Sequence, residues 1–190
     1  MEYCNAINVY ISKTFFIRLP MRNSKINLLA AAAKDIKMIS VMAERIWRAH
    51  YVLIIGNEQV DYMLEKMYSA NSLAEQMADG QQFFIASVAN QPIGYLSISK
   101  KNESEFFMHK FYMEMKEQGK GYGKKIFAEL LLRFPELKTM KLQVNRMNYK
   151  TINFYFRLGF VIEEAKKFDI GNGYFMDDFV MCYSALDEKF

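Results

Sequence analysis

One stretch constrains this chain more than all the rest. An apolar run, Phe106-Phe107-Met108-His109-Lys110-Phe111-Tyr112-Met113, feeds a turn with Gly119, Gly121 and Gly123 at alternate positions, and an amphipathic run carrying Ile126, Phe127, Leu130 and Leu131 follows at once. A strand that passes through glycines into a helix gathers unpaired backbone N–H groups at one point, where the helix dipole adds a partial positive charge. Such a point binds anions. The three glycines permit close backbone approach and positive φ, and Lys116, Lys120, Lys124 and Lys125 surround the turn with positive charge, as a pyrophosphate requires. Two familiar phosphate loops are ruled out by what is missing. A Walker loop needs a hydroxyl residue after Gly-Lys, whereas Gly123-Lys124 is followed by Lys125. A dinucleotide fingerprint needs a glycine three residues beyond Gly121, where Lys124 stands, and an acid about 20 residues further on, where the chain reads Val144-Asn145.

The remaining pattern places this loop in an α/β (α+β) domain. Ile26 to Ala31 reads as a first strand, and Asp35 is expected to cap a helix carrying Ile36, Ile39, Met42, Ala43, Ile46 and Trp47. Asn57 is expected to cap a second helix, and Ser72-Leu73-Ala74-Glu75 to open a short third one that Gly80 closes. Gln82 to Val88 and Ile93 to Ser99 form a hairpin around Asn90-Gln91-Pro92, and Phe106 to Met113 is the central strand. Gly121 to Arg133 is the crossover helix to a parallel strand, Met140 to Asn145. A last hairpin, Phe160 to Ile170 with Tyr174 to Ser184, turns at Gly171-Asn172-Gly173.

At 190 residues and 52% hydrophobic content the chain can bury one substantial core. Residues 1–20 read as an extension and residues 21–190 as a single domain. A net charge of +4, with the lysines local to one loop, does not suggest a nucleic-acid binder. No run reaches the roughly 18 apolar residues of a membrane span. Cys4 and Cys182 are too few for a disulfide framework, so a reduced, cytoplasmic setting is expected, with Cys182 a buried thiol. His50 and His109 lack metal-ligand spacing, and no metal is expected.

Two motifs together carry a resemblance. Gln118-x-x-Gly121-x-Gly123 resembles the cofactor signature of the GNAT N-acetyltransferase superfamily, and Val144-Asn145 followed by Thr151-Ile152-Asn153-Phe154-Tyr155-Phe156-Arg157-Leu158-Gly159-Phe160 resembles that family's second half. The element order over residues 26 to 186 is similar to the GNAT fold: a mixed, mostly antiparallel central sheet whose one parallel βαβ pair splays around the cofactor, with helices on both faces. The runs Glu44 to Tyr51, Gln59 to Tyr68 and Gly173 to Met181 further resemble PaiA-type polyamine N-acetyltransferases.

The resemblance implies acetyl-CoA as cofactor and a small-molecule amine as acceptor, with polyamines as the class suggested. It leaves a homodimer open. Carried over, the backbone of Phe111, Tyr112 and Met113 would pair with the pantetheine arm. Gln118, Gly119, Lys120, Gly121, Tyr122, Gly123 and Lys124 would hold the pyrophosphate, and Asn148 would contact the cofactor. Tyr155 would meet the thioester sulfur as general acid. Glu105 and His109 are the candidate bases. Glu44, Trp47 and Tyr51 share one helical face by spacing, so an acid with aromatics would hold a protonated amine there. Asp177 and Asp178 alternate faces on a strand, and only one can enter a cavity. A non-catalytic acyl-CoA-binding regulator, a GNAT enzyme acting on an amino acid, a peptide N-terminus or an antibiotic, and a nucleotide- or nucleic-acid-binding module are the alternatives.

Overall fold

The structure, a computed structural model, describes residues 25–185. The extension expected over residues 1–20 and Cys4 lie outside them. Within them one sheet of seven strands organises everything: β1 (Ile26–Ala30), β2 (Gln82–Val88), β3 (Gln91–Lys100), β4 (Glu105–Met113), β5 (Thr139–Asn145), β6 (Val161–Gly171) and β7 (Tyr174–Ser184), in the order β1-β2-β3-β4-β5-β7-β6. Every neighbour pair is antiparallel except β4 with β5.

The helices divide between the two faces because their apolar stripes leave them no other place to bury. Four lie on one face: α1 (Ile36–His50), α2 (Val52–Ile55), α3 (Asn57–Tyr68) and α4 (Ala70–Ala78). Of these, α1, α3 and α4 bury Ile39, Met42, Trp47, Val60, Met63 and Leu73 against Phe83 and Tyr95 of the sheet. On the other face α5 (Tyr122–Arg133) and α6 (Tyr149–Leu158) bury Ile126, Phe127, Leu130, Ile152 and Tyr155 against Leu96, Ile98, Phe106 and Leu142.

The expected helix starts and the first hairpin turn differ in detail, each for a local reason. Asp35 precedes α1 as expected, but its side chain does not cap that helix; the carboxylate turns back to accept from the Ala32 N–H at 2.9 Å, closing a short 3-10 turn. Gly56, with φ of 81°, precedes Asn57 as the entry to α3, because α2 adds an extra turn of helix that must be broken sharply. Ser69, not Ser72, caps α4: its hydroxyl accepts from the Ser72 N–H at 3.4 Å. The β2–β3 turn is the two-residue Ala89-Asn90, with both φ positive, so Gln91 and Pro92 already belong to β3.

Two irregularities of β4 position the site. Lys110 pairs with Ser97 while Met108 pairs with Ile98, so His109 is an extra residue, a β-bulge. The bulge reverses the alternation: Phe106 and Met108 belong to the core under α5 and α6, whereas Tyr112 packs with the helices opposite. In addition, β4 and β5 pair only from Glu105 with Thr139 to Met108 with Leu142. Beyond that point β5 keeps to β7 as far as Asn145, and the two parallel strands part. From His109 to Met113 the β5-facing edge of β4 therefore has no ladder partner.

Gly94 of β3 packs tightly on β4: a Cβ there would stand 2.4 Å from the Tyr112 carbonyl oxygen and 3.1 Å from the Met113 Cα. These are backbone atoms and cannot swing aside. Gly94→Ala is expected to cost about 2 kcal/mol or more, as overpacking does. Urea unfolding reads it as a lower midpoint at unchanged slope; an unchanged midpoint would show that the β3–β4 pair yields freely.

Candidate active site

Where β4 ends, the chain makes a 3-10 turn at Met115–Glu117 and passes Gly119 and Gly121, both left-handed with φ of 77° and 79°. Gly121 is the residue before α5, so the first N–H groups of that helix point into the cleft without helical partners. Gly123 behaves differently from its two neighbours. It lies inside α5, without positive φ, and a Cβ there would stand 2.9 Å from the Phe154 ring. Its task is to let α6 pack against α5.

The positive charge is also distributed differently from the expectation. Lys120 is paired with Glu117 at 2.9 Å. Lys124 does line the cleft, joined there by Lys150 and Arg157 of α6. Those two residues lie seven apart, two turns along one helical face, a spacing visible in the sequence that the loop motif overshadowed. Lys150 donates to the Gln118 side-chain oxygen at 2.8 Å, and Gln118 donates to the Met113 carbonyl at 3.2 Å. The loop is thereby tied to both walls.

The outer cleft, about 550 Å³, runs along Phe111 and Met113 to Tyr155, which also lines a smaller inner cavity with Asn148, Tyr51 and His109. Tyr155 is held from both ends of its helix. Asn148 caps α6 by accepting from the Thr151 N–H at 3.3 Å, and its side-chain N–H₂ lies 3.5 Å from the Tyr51 hydroxyl. Gly159 closes the helix at φ of 94°, and the Phe160 N–H bonds back to the carbonyl of Tyr155 itself at 3.1 Å. The ring packs on Phe154 and Phe160 at centroid distances of 5.4 and 5.3 Å. Burial first, then the neighbouring Tyr51, pushes the Tyr155 hydroxyl well above the ordinary phenol range. It stays protonated throughout the neutral range.

Of the two candidate bases, the structure brings only His109 to the cavities. Its Nε2 is 2.8 Å from the Ser99 hydroxyl. Burial, then Lys110 and Lys101, hold it down to about 4, so it is neutral at pH 7. Glu105 opens β4, exposed and engaged by the Asn102 side chain, and lines none of these cavities.

Past Tyr51 the inner cavity continues into a third space of about 230 Å³ between the helices α1 to α3 and strands β4, β5 and β7. Trp47 of α1 and Tyr51, the residue that follows α1, stack at 4.4 Å and line it together with Tyr68, Tyr112, Met63, Met67, Met108 and Met176. Glu44, expected beside them, is instead on the solvent side of α1, where it pairs with Arg48 at 3.3 Å. The helical spacing does not carry over because Tyr51 lies past the last residue of α1. The acid that does face the cavity is Asp178 of β7, only 5% exposed. Its neighbour Asp177 points the other way and pairs with Arg146 at 3.1 Å. Lys110 lines the same space, donating to the Gln76 side chain with its ammonium over the rings of Tyr68 and Phe83; burial lowers it to about 8. Cys182 is a buried free thiol, raised by burial and by Glu163, and lines none of these cavities.

Comparison with known families decides what this arrangement belongs to. Residues 54–172, more than half of the chain, match the acetyltransferase (GNAT) domain. The chain belongs to the GNAT acetyltransferase family. As a GNAT protein it is similar to a spermidine N(1)-acetyltransferase of Thermoplasma acidophilum, 22% identical over 148 residues that span 74% of this chain and 91% of the relative. Its fold is similar to that of the PaiA N-acetyltransferase of Thermoplasma acidophilum in complex with coenzyme A, with a TM-score of 0.69 at 20% identity over 85% of this chain and 99% of that one. The spermidine N-acetyltransferase of Vibrio cholerae, in complex with CoA and spermine, gives 0.61 at 20% identity over 84% and 95%. The expected GNAT architecture, a mixed sheet with one splayed parallel pair and helices on both faces, is therefore the observed one. No helix among the described residues is long and apolar enough to cross a membrane. Among the same residues no group of three or more His, Cys, Asp or Glu comes together as a metal site.

Proposed function

We propose that this GNAT protein transfers the acetyl group of acetyl-CoA to a primary amine, with a polyamine as acceptor and Tyr155 as the proton donor to the departing sulfur. One observation carries the reading: the outer cleft and the aromatic cavity open from different sides of the β4–β5 splay, and the inner cavity that joins them is lined by Tyr155.

The residues present fit the cofactor. The N–H groups from Gly119 to Lys124, with Lys124, Lys150 and Arg157, answer the pyrophosphate and phosphate charge. The unpaired edge of Phe111 to Met113 offers backbone groups to a β-like pantetheine arm. Acetyl-CoA supplies an activated thioester carbonyl, which unpaired N–H groups of that edge polarise. The reaction forms an N–C bond and breaks a C–S bond, and the proton lost by the amine balances the one gained by sulfur. Full transfer from Tyr155 to a thiolate whose acid lies near 8.5 runs uphill for a phenol held above 10. The hydroxyl therefore acts chiefly by donating a hydrogen bond as charge builds on sulfur, and its raised pKa keeps the proton there to donate.

The polyamine choice rests on the aromatic cavity with its single carboxylate, a surrounding suited to an ammonium group, and on the spermidine-acetylating relatives. Thermal-shift ranking of acetyl-CoA, CoA, NAD and ATP is expected to show stabilisation by the two CoA species alone. An amine screen read by thiol release then identifies the acceptor. CoA binding with no thiol release for any amine would leave a non-catalytic acyl-CoA-binding protein instead.

A further inference from the structure

The aromatic cavity contains a charge that no described residue neutralises. Asp178 is 5% exposed, and its carboxylate forms no hydrogen bond or ion pair with any described residue. A buried carboxylate in that condition is costly, and buried charges are as a rule paired.

The pairing was within reach and was not used. Across the β6–β7 ladder Lys166 stands directly opposite Asp178, so their side chains leave the same face of the sheet. Yet the Lys166 ammonium lies over the Phe168 ring at 5.4 Å. Lys110, which shares the cavity, is two strands away on β4 and is held by Gln76 of α4 and two rings. His109 is neutral at pH 7. Asn145, opposite Asp178 on β5, lines the cavity without bonding to it. The cavity it faces is lined by Trp47, Tyr51, Met63 and Met176, with the neutral amides of Gln59 and Gln143. Ring faces and thioethers attract cations and offer an anion little. Consistent with this, burial, then the charge of Asp177, pushes Asp178 up to about 6.

We infer that Asp178 is the counter-ion for an ammonium group of the acceptor, held unpaired in the free protein so that an amine carrying a second ammonium completes it. This rests on the proposed amine acetylation and adds to it the residue that discriminates: diamines and longer polyamines are preferred to amines with an uncharged tail. The reacting amine sits at the Tyr155 end and the distal ammonium enters between Trp47 and Asp178. Lys110 marks the limit of that channel, since a second cation cannot settle beside it.

Asp178→Asn keeps shape and removes the charge, and two readouts follow. The ratio of KM for spermidine to KM for butylamine is expected to rise at least tenfold, and the melting temperature of the unliganded protein is expected to rise by several degrees because an unpaired buried charge has gone. An unchanged ratio, or a lower melting temperature, overturns the assignment and makes Asp178 a structural residue. Absence of thiol release with both amines in the wild-type protein would instead defeat the acetyl-transfer reading. In that event calorimetric binding of spermidine to the wild-type and Asp178→Asn proteins still decides the role of the carboxylate: a tenfold or greater loss upholds it, equal affinity overturns it.

Discussion

Gly121→Glu is expected to remove acetyl-CoA binding, weakening it at least a hundredfold, while the domain stays folded. Gly121 has φ of 79° and open space where a Cβ would be, so a side chain fits without collision. The structural cost is the left-handed backbone, about 1–2 kcal/mol for a residue with a Cβ, which for a chain of this size lowers the melting temperature by only a few degrees. The functional cost is larger. A carboxylate at the head of α5 satisfies the same N–H groups that would hold a pyrophosphate, and it repels the phosphate charge as well. Calorimetry against CoA measures the loss, and wild-type affinity would remove the phosphate assignment from this loop. The neighbouring glycine gives a contrast. Gly123→Glu drives a side chain into the Phe154 ring, 2.9 Å away already at Cβ, so it should destabilise the α5–α6 contact and lose binding through misfolding, visible as a much lower melting temperature than that of the Gly121 variant.

Tyr155→Phe should lower kcat by roughly 10- to 1000-fold, the span between a lost hydrogen bond to a charged group and a lost general acid, with little change in CoA affinity. The ring contacts with Phe154 and Phe160 remain. The hydroxyl makes no hydrogen bond with another described residue, so its removal leaves nothing unpaired in the core and the melting temperature should hold. The split matters: an interaction made only as the C–S bond breaks lowers kcat and kcat/KM together. Steady-state kinetics with acetyl-CoA and spermidine provide the test, and wild-type turnover by the phenylalanine variant would return Tyr155 to a purely packing role.

The cofactor side of the site was legible because it is local. Gln118, Gly121 and Gly123 lie within six residues, and a glycine turn opening a helix has one physical meaning wherever it occurs. Tyr155 and Gly159 were legible for the same reason, since one helix with its αL terminus fixes both. Helix starts were less so. Asp35, Asn57 and Ser72 are all sound capping residues, yet none of their side chains caps the helix expected of it, because packing of the apolar stripe outweighs a single cap of about 1 kcal/mol.

The acceptor side shows where the sequence stops. Alternation along Tyr174–Ser184 required that one of Asp177 and Asp178 face inward, but which one depends on the side of the sheet that α1 and α3 cover. Glu44 was the natural acid to place beside Trp47 and Tyr51, but it faces solvent and pairs with Arg48, and the acid on that wall comes from β7, at the far end of the chain. The bulge at His109 is not encoded by any residue type that announces it, yet it reverses the faces of Lys110 to Met113 just where the pairing with β5 ends. By itself, then, the sequence determined the elements, their order and the anion-binding turn, each of which depends on neighbours a few residues apart. Only the tertiary structure decided which carboxylate meets the cavity, which lysines meet the cleft and where the parallel strands part. Those outcomes depend on strand register and on contacts between segments far apart in the chain, where local preferences carry no information.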